Sequence, residues 1–322
     1  MSIGGAGSAG KPNGSASPSR LEGHLAKGIA AHRAGRHAEA DRHYRRLLKG
    51  APDHDQAIHL RADLAAQTER WSEATQLYRR LTGLRPERAD HWLALGAAAI
   101  RAGAGDRAVA ACRAATAGAP AEPGAWNNLG IALHQNGASA EALTAYDRAL
   151  ALDPGFAEAH ANRGIALKAA GAFEDALAAF DQAIALRSDH ASARQSRALT
   201  ALSLGRFDQA WADYRWRPGA NRQGNPRPDT PLPARLDGRR VLVLRDQGLG
   251  DELFFLRFAN ALTIRGAEVV YEAHPKIASI LDRALSIATV VSADHAPDGA
   301  DHVVSVGDLP FLLGPDPGLP PP

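Results

Sequence analysis

A 34-residue period running from Leu21 to Arg217 constrains the fold more than any other feature of this 322-residue chain. Copies beginning at Leu21, Asp55, Ala89, Pro123, Ala157 and Ala191 all carry alanine at the twentieth position: Ala40, Ala74, Ala108, Ala142, Ala176 and Ala210. The eighth position is Gly28, Ala62, Gly96, Gly130, Gly164 and Ala198, always small. The twenty-fourth is Tyr44, Tyr78, Cys112, Tyr146, Phe180 and Tyr214, a ring in every copy except the third. Position thirty-two is Pro52, Pro86, Pro120 and Pro154 before Ser188 breaks the series. Proline cannot continue a helix, so each unit closes there. Glycine at position fifteen, with Glu69 the exception, suits the left-handed residue that ends a helix. The period therefore predicts two antiparallel helices per copy. Small residues at positions eight and twenty let them approach, and the ring fills the gap beside the crossing. One such pair cannot bury its own apolar face, so the copies must stack on one another.

Taken together, Trp126, Leu129, Gly130, Ala142, Tyr146, Ala149 and Pro154 closely resemble the tetratricopeptide repeat (TPR). The resemblance covers residues 21–217 and implies an α-helical TPR solenoid of six repeats. It also implies a protein or peptide client held in a groove lined by the first helix of each repeat, through positions two, five, six, nine, twelve and thirteen. In the O-linked N-acetylglucosamine transferases, which this arm resembles, an asparagine ladder at equivalent positions holds a peptide by its backbone. The matching residues here are Asn128 and Asn162 at position six, flanked by Asn127 and Gln195 at position five. An asparagine side chain offers one donor edge and one acceptor edge, and so can pair with an extended peptide unit whatever the client's side chains. His134 and Lys168, at position twelve, are candidates to meet acidic groups; all of these also read as ordinary polar residues on a solvated helix face.

Composition limits the remaining choices. Net charge is +2 and hydrophobic content 45%. Lys and Arg number 27 against 22 Asp and Glu through residue 217, and 10 against 13 beyond it, so neither part carries a field that calls for nucleic acid. Cys112 is the only cysteine, which excludes an internal disulfide and reads as a small buried residue. The thirteen histidines include no His-Glu-x-x-His arrangement, so neither a metal nor a cofactor is expected. No run approaches the ~20 apolar residues of a membrane span. Residues 1–20, rich in Gly and Ser, read as a disordered tail and not a signal peptide, which makes a cytoplasmic location the expectation. Trp92 and Trp126 at position four, and Trp71, Phe173 and Phe207 at position seventeen, read as packing residues. Trp211 and Trp216 are expected to join the last repeat to the domain after it.

The pattern changes after Arg217. Residues 218–238 read as a Pro/Gly-rich linker, and residues 315–322 as a Pro-rich end. Between them, residues 239–314 alternate short β-branched runs (Arg240–Leu244, Glu268–Ala273, Ala288–Ser292, His302–Val306) with helical stretches at Glu252–Arg265 and Lys276–Leu285. That order predicts a parallel sheet, the opening of a doubly wound, Rossmann-like α/β domain. The run Trp211–Arg217, continued from Leu236 to Asp251, resembles the junction of bacterial TPR glycosyltransferases, which are heptosyltransferase-like GT-B enzymes. In that family a Gly-x-Gly-Asp turn matches Gly248, Gly250 and Asp251. The resemblance implies that Asp251 is a general base and that this segment is part of the first of two lobes, with the donor-binding lobe missing. A nucleotide sugar is expected only where such a lobe is supplied. Asp251 equally reads as a helix cap, and Gly248 and Gly250 as a turn whose N–H groups receive a phosphate or a carboxylate. Leu253 replaces the third glycine of a dinucleotide fingerprint, which argues against that ligand. The leading expectation is a client-binding scaffold, and the alternative is the acceptor-selecting part of a protein O-glycosyltransferase acting on flagellin or another surface protein.

Overall fold

The computed structural model describes residues 18–217, 230–245, 248–284, 289–291 and 299–314. The repeats form six helix pairs: α1 (Pro18–Arg33) and α2 (His37–Gly50), α3 (Asp55–Gln67) and α4 (Trp71–Leu84), α5 (Ala89–Arg101) and α6 (Gly105–Gly118), α7 (Pro123–Gln135) and α8 (Ser139–Leu152), α9 (Ala157–Ala169) and α10 (Phe173–Leu186), α11 (Ala191–Ser203) and α12 (Phe207–Tyr214). From α2 onward every first helix begins at position one of the period and every second helix at position seventeen. The fold is a helical solenoid of TPR type, divided into two compact units, Met1–Pro154 and Gly155–Pro322.

The first unit holds four repeats, and the glycine at position eight has a sharper role than mere closeness. A Cβ on Gly28 would lie 2.5 Å from the Tyr44 ring, one on Gly130 2.5 Å from Tyr146, and one on Gly96 2.7 Å from the Cys112 sulfur. The ring lies over the glycine itself and not beside the crossing. Where Ala62 occupies this slot its methyl takes the space, and the Tyr78 hydroxyl donates to Asp63 at 2.5 Å. Position fifteen is left-handed throughout this unit: φ is 71° at Gly35, 66° at Gly103, 82° at Gly137 and also 56° at Glu69, where a side chain makes it unfavourable. Trp92 and Trp126 each donate their indole N–H, at 2.9 Å, to the carbonyl of the proline that closes the previous repeat, Pro86 and Pro120.

In the second unit the last two repeats are built together with a four-stranded parallel sheet of order β3-β2-β1-β4: β1 (Arg240–Leu244), β2 (Glu268–Glu272), β3 (Thr289–Val291) and β4 (His302–Ser305). Gly164 again lies beneath Phe180, 2.6 Å from a would-be Cβ, but Ala198 fills the slot in the sixth repeat. Tyr214 turns instead to Phe255, with ring centroids 5.3 Å apart. Ala198 and Tyr214 belong to the same apolar core as Val241, Val243, Phe255, Val269 and Leu309, so repeat six and the sheet share one interior. Trp211 packs edge-on against Phe255 and Phe258 at 6.0 and 6.4 Å, whereas Trp216 stacks under the Arg194 guanidinium. Arg194, standing where repeats three and four carry tryptophan, donates to the Ser188 carbonyl at 2.7 Å and so keeps the closing bond when both proline and indole are gone.

The segment Glu252–Arg265 is not one helix. It begins earlier, as α13 (Leu249–Leu256), breaks at Arg257–Phe258 and resumes as α14 (Ala259–Ile264). Periodicity alone favours continuity, but the break lets Phe258 join Phe255 against Trp211. Two short helices complete the unit, α15 (Ala278–Ala284) and α16 (Leu309–Leu313). Of the segment read as a linker, residues 218–229 lie outside the described residues. The remainder is pinned: Leu236 is buried, and Leu232 and Leu236 donate their N–H groups to the Leu312 and Arg265 carbonyls. Residues 1–17 and 315–322, read as tail and end, are also outside the described residues.

Candidate interaction face

The first helices carry the residues expected to meet a client. In the first unit, Asn128 and His134 on α7 are half-buried, whereas Asn127 is only 7% exposed and sits within the helix packing. The Nδ1 atom of His134 is buried without a hydrogen-bond partner. In the second unit, Asn162 and Lys168 on α9 and Gln195 on α11 are half-buried. The structure thus leaves Asn128, His134, Asn162, Lys168 and Gln195 partly exposed and buries Asn127.

Histidines His54 and His190, at the same point between repeats, act as helix caps. Their Nδ1 atoms accept the N–H of Ala57 at 3.3 Å and of Ala193 at 3.4 Å. A neutral imidazole is required for this, and burial, followed by the charge of Arg187, holds His190 below its ordinary pKa. Burial also pushes the Cys112 thiol up to about 12, as expected of a packing residue and not a nucleophile. Among the described residues no group of three His, Cys, Asp or Glu side chains is placed to hold a metal ion, and no helix is long and apolar enough to cross a membrane.

At the carboxyl end of β1, Gly248 is the residue preceding α13, Gly250 lies inside the helix and Asp251 is exposed in its first turn. Gly248 therefore occupies the cap position considered for Asp251. Neither glycine has a positive φ and neither is crowded at its Cβ position, so the backbone here does not demand glycine. The residue that folding singles out is the neighbouring Glu252. It is 2% exposed and accepts the His274 N–H at 3.0 Å. Around it stand the fully buried Tyr271, raised by burial and by the Glu252 charge, and Glu272, which is held 3.2 Å from Arg245. Sequence reasoning passed over Glu252 because two successive acids opening a helix look alike until the helix phase is known. Only the β2–α15 connection shows which one turns inward.

Tetratricopeptide-repeat family models match residues 123–156 in one case, and 25–86, 59–123 and 161–218 in another. Among solved structures, PilW, a type IV pilus biogenesis factor, is 20% identical and aligns 62% of this chain with 91% of its own at a TM-score of 0.53. The Cut9–Hcn1 hetero-tetramer of the APC/C aligns 62% of this chain with 40% of that one, at 21% identity and a TM-score of 0.51. MamA from Desulfovibrio magneticus RS-1 aligns 53% with 97%, at 19% identity and 0.50. Likeness at this level of identity establishes the fold and nothing finer. No curated protein matches the chain significantly.

Proposed function

Since the chain belongs to the tetratricopeptide-repeat family over residues 25–156 and 161–218, we propose that it is a protein-interaction scaffold whose first-helix face holds an extended segment of a client protein. The observation that carries this reading recurs in each unit by itself: half-buried Asn128 and His134 on α7 in the first, and half-buried Asn162 and Lys168 on α9 with Gln195 on α11 in the second, on helices whose other faces are taken up by packing. Amide side chains pair with peptide N–H and C=O groups in any sequence context, so the face selects extended backbone first and side chains second. The test uses residues 18–322 as bait against host extract, followed by titration of the recovered segment as a synthetic peptide. Replacing Asn128 and Asn162 together with Ala should weaken that peptide at least tenfold at an unchanged melting temperature. Undiminished affinity sinks the reading.

A second reading is favoured by one observation, the parallel sheet of order β3-β2-β1-β4 with Gly248, Gly250 and Asp251 opening the helix after β1. In it the α/β part is a Rossmann-like lobe of a GT-B glycosyltransferase, and client binding selects the acceptor. Such a lobe acts on a nucleotide sugar only together with a donor-binding partner lobe. Transfer from labelled nucleotide sugars to the recovered client when a donor-binding lobe is supplied, lost on Asp251→Asn, supports it. Transfer that is indifferent to Asp251 removes that residue's assigned role as base.

A further inference from the structure

On the second-helix face of the first unit, an ion pair recurs between successive repeats. Arg45, at position twenty-five of repeat one, bonds Asp41 at 2.7 Å and also reaches to 3.9 Å from Glu73, at position nineteen of repeat two, whose closer partners are Arg61 and Arg70. Arg113 and Glu141 repeat the pairing from repeat three to repeat four at 2.8 Å. The intervening step breaks it: position twenty-five is Arg79, but position nineteen is Arg107, so two cations occupy the places of a cation and an anion. Among the described residues neither guanidinium has a carboxylate within ion-pair distance, and both are exposed.

A second departure falls at the same step. Ala110 stands where other repeats of this unit carry Arg42, Gln76 and Thr144, and with Ala111 it opens a groove of about 620 Å³ between α4 and α6. Trp92 and Leu95 contribute its apolar lining, and the Trp92 indole N–H is already committed to the Pro86 carbonyl, which fixes the ring. Arg79 and Arg107 line the same groove. Like charges placed across a gap add nothing to stability, and the anion that faces this cation at the steps on either side is replaced by a second cation here.

From this coincidence we infer that the groove between α4 and α6 is a docking site for an acidic segment of a partner protein, in which a carboxylate sits between Arg79 and Arg107 and an adjacent apolar side chain lies against Trp92 and Leu95. Charge complementarity selects the anion, and the apolar lining selects a peptide over a phosphate backbone, which has no apolar group to offer. The site is separate from the first-helix face proposed above.

Fluorescence anisotropy on the full chain tests it, using a fluorescein-labelled nonapeptide that alternates glutamate with leucine and phenylalanine, and a twin with glutamine for glutamate. The glutamate probe should bind at least tenfold more tightly than its twin, and Arg107→Glu or Arg79→Glu should each weaken it at least tenfold. The melting temperature of Arg107→Glu should hold or rise, because the substitution restores the pairing seen at the neighbouring steps. Asn128→Ala with Asn162→Ala should leave the probe's affinity unaltered, which separates this site from the client face. Equal binding of the glutamine twin, affinity within twofold after Arg107→Glu, displacement of the probe by duplex DNA at lower concentration, or loss of binding in the asparagine variant would each overturn the assignment.

Discussion

Repeat four and repeat six share one 34-residue pattern, yet they use their ring differently. In repeat four the Tyr146 ring lies over Gly130, where a Cβ would stand 2.5 Å away, so the ring is consumed inside its own helix pair. In repeat six a methyl group, that of Ala198, fills the slot, and Tyr214 faces Phe255 as part of the core shared with the sheet. A methyl group in the slot does not by itself free the ring, since beside Ala62 the Tyr78 hydroxyl still bonds Asp63 within its own helix pair. Only in repeat six, packed with the sheet, does the ring join a shared core. A repeat able to continue the stack has no ring to spare, while the last repeat must cover an apolar face that no further repeat will cover.

That contrast can be broken most forcefully at Arg217. Its guanidinium is 1% exposed and lies 2.5 Å from the buried Asp308 carboxylate, with Gly307 leaving room for it. Arg217→Ala strands a buried charge and should cost about 3–5 kcal/mol. Hydrogen exchange should show the loss across the amides of Gly155–Pro322 while those of α1–α8 keep their protection. Uniform loss through the whole chain would mean that the pair does not belong to the second unit alone.

A smaller effect tests the slot itself. Gly130→Leu drives a side chain into the Tyr146 ring and should cost about 1–3 kcal/mol by denaturant titration. Ala198→Gly, the reverse exchange, removes only a methyl group from a helix and should cost about 1 kcal/mol. A loss from Gly130→Leu smaller than that from Ala198→Gly would erase the distinction drawn between these repeats.

Repeat two offers a gain. Glu69 is exposed and holds φ 56°, where the other repeats use glycine. Glu69→Gly should therefore stabilise the chain by about 0.5–1 kcal/mol, read as a raised melting temperature. The smallest effect concerns pH. His190 caps α11 as a neutral ring and its pKa is lowered by burial, so its contribution is present above its unfolded value of ~6.5 and is lost as pH falls through the lower folded value. The melting temperature should drop on acidification below that range, and His190→Asn, which keeps a capping acceptor that does not titrate, should remove part of the drop.

Much of this was legible in advance because a repeat states its rule several times. Prolines at position thirty-two and glycines at position fifteen marked the helix ends, and both observed helix starts fall on fixed positions of the period. The break at Phe258 was not legible, since there Phe258 meets a tryptophan forty-seven residues earlier in the chain, and periodicity reports only local neighbours. Nor was the burial of Glu252 beside an exposed Asp251, which depends on where the strand after α14 delivers the His274 N–H.

The amino-acid order alone fixed the helix pairs, their boundaries and the parallel alternation of strands after Arg240, because turn residues and apolar spacing act over a few positions and need no distant partner. Tertiary structure decided which ring serves which core, which acid turns inward, that Arg217 reaches Asp308 across ninety-one positions, and where the arginine ladder leaves a groove. Those outcomes depend on groups far apart in the chain that compete for the same space and charge, and only the folded packing settles that competition.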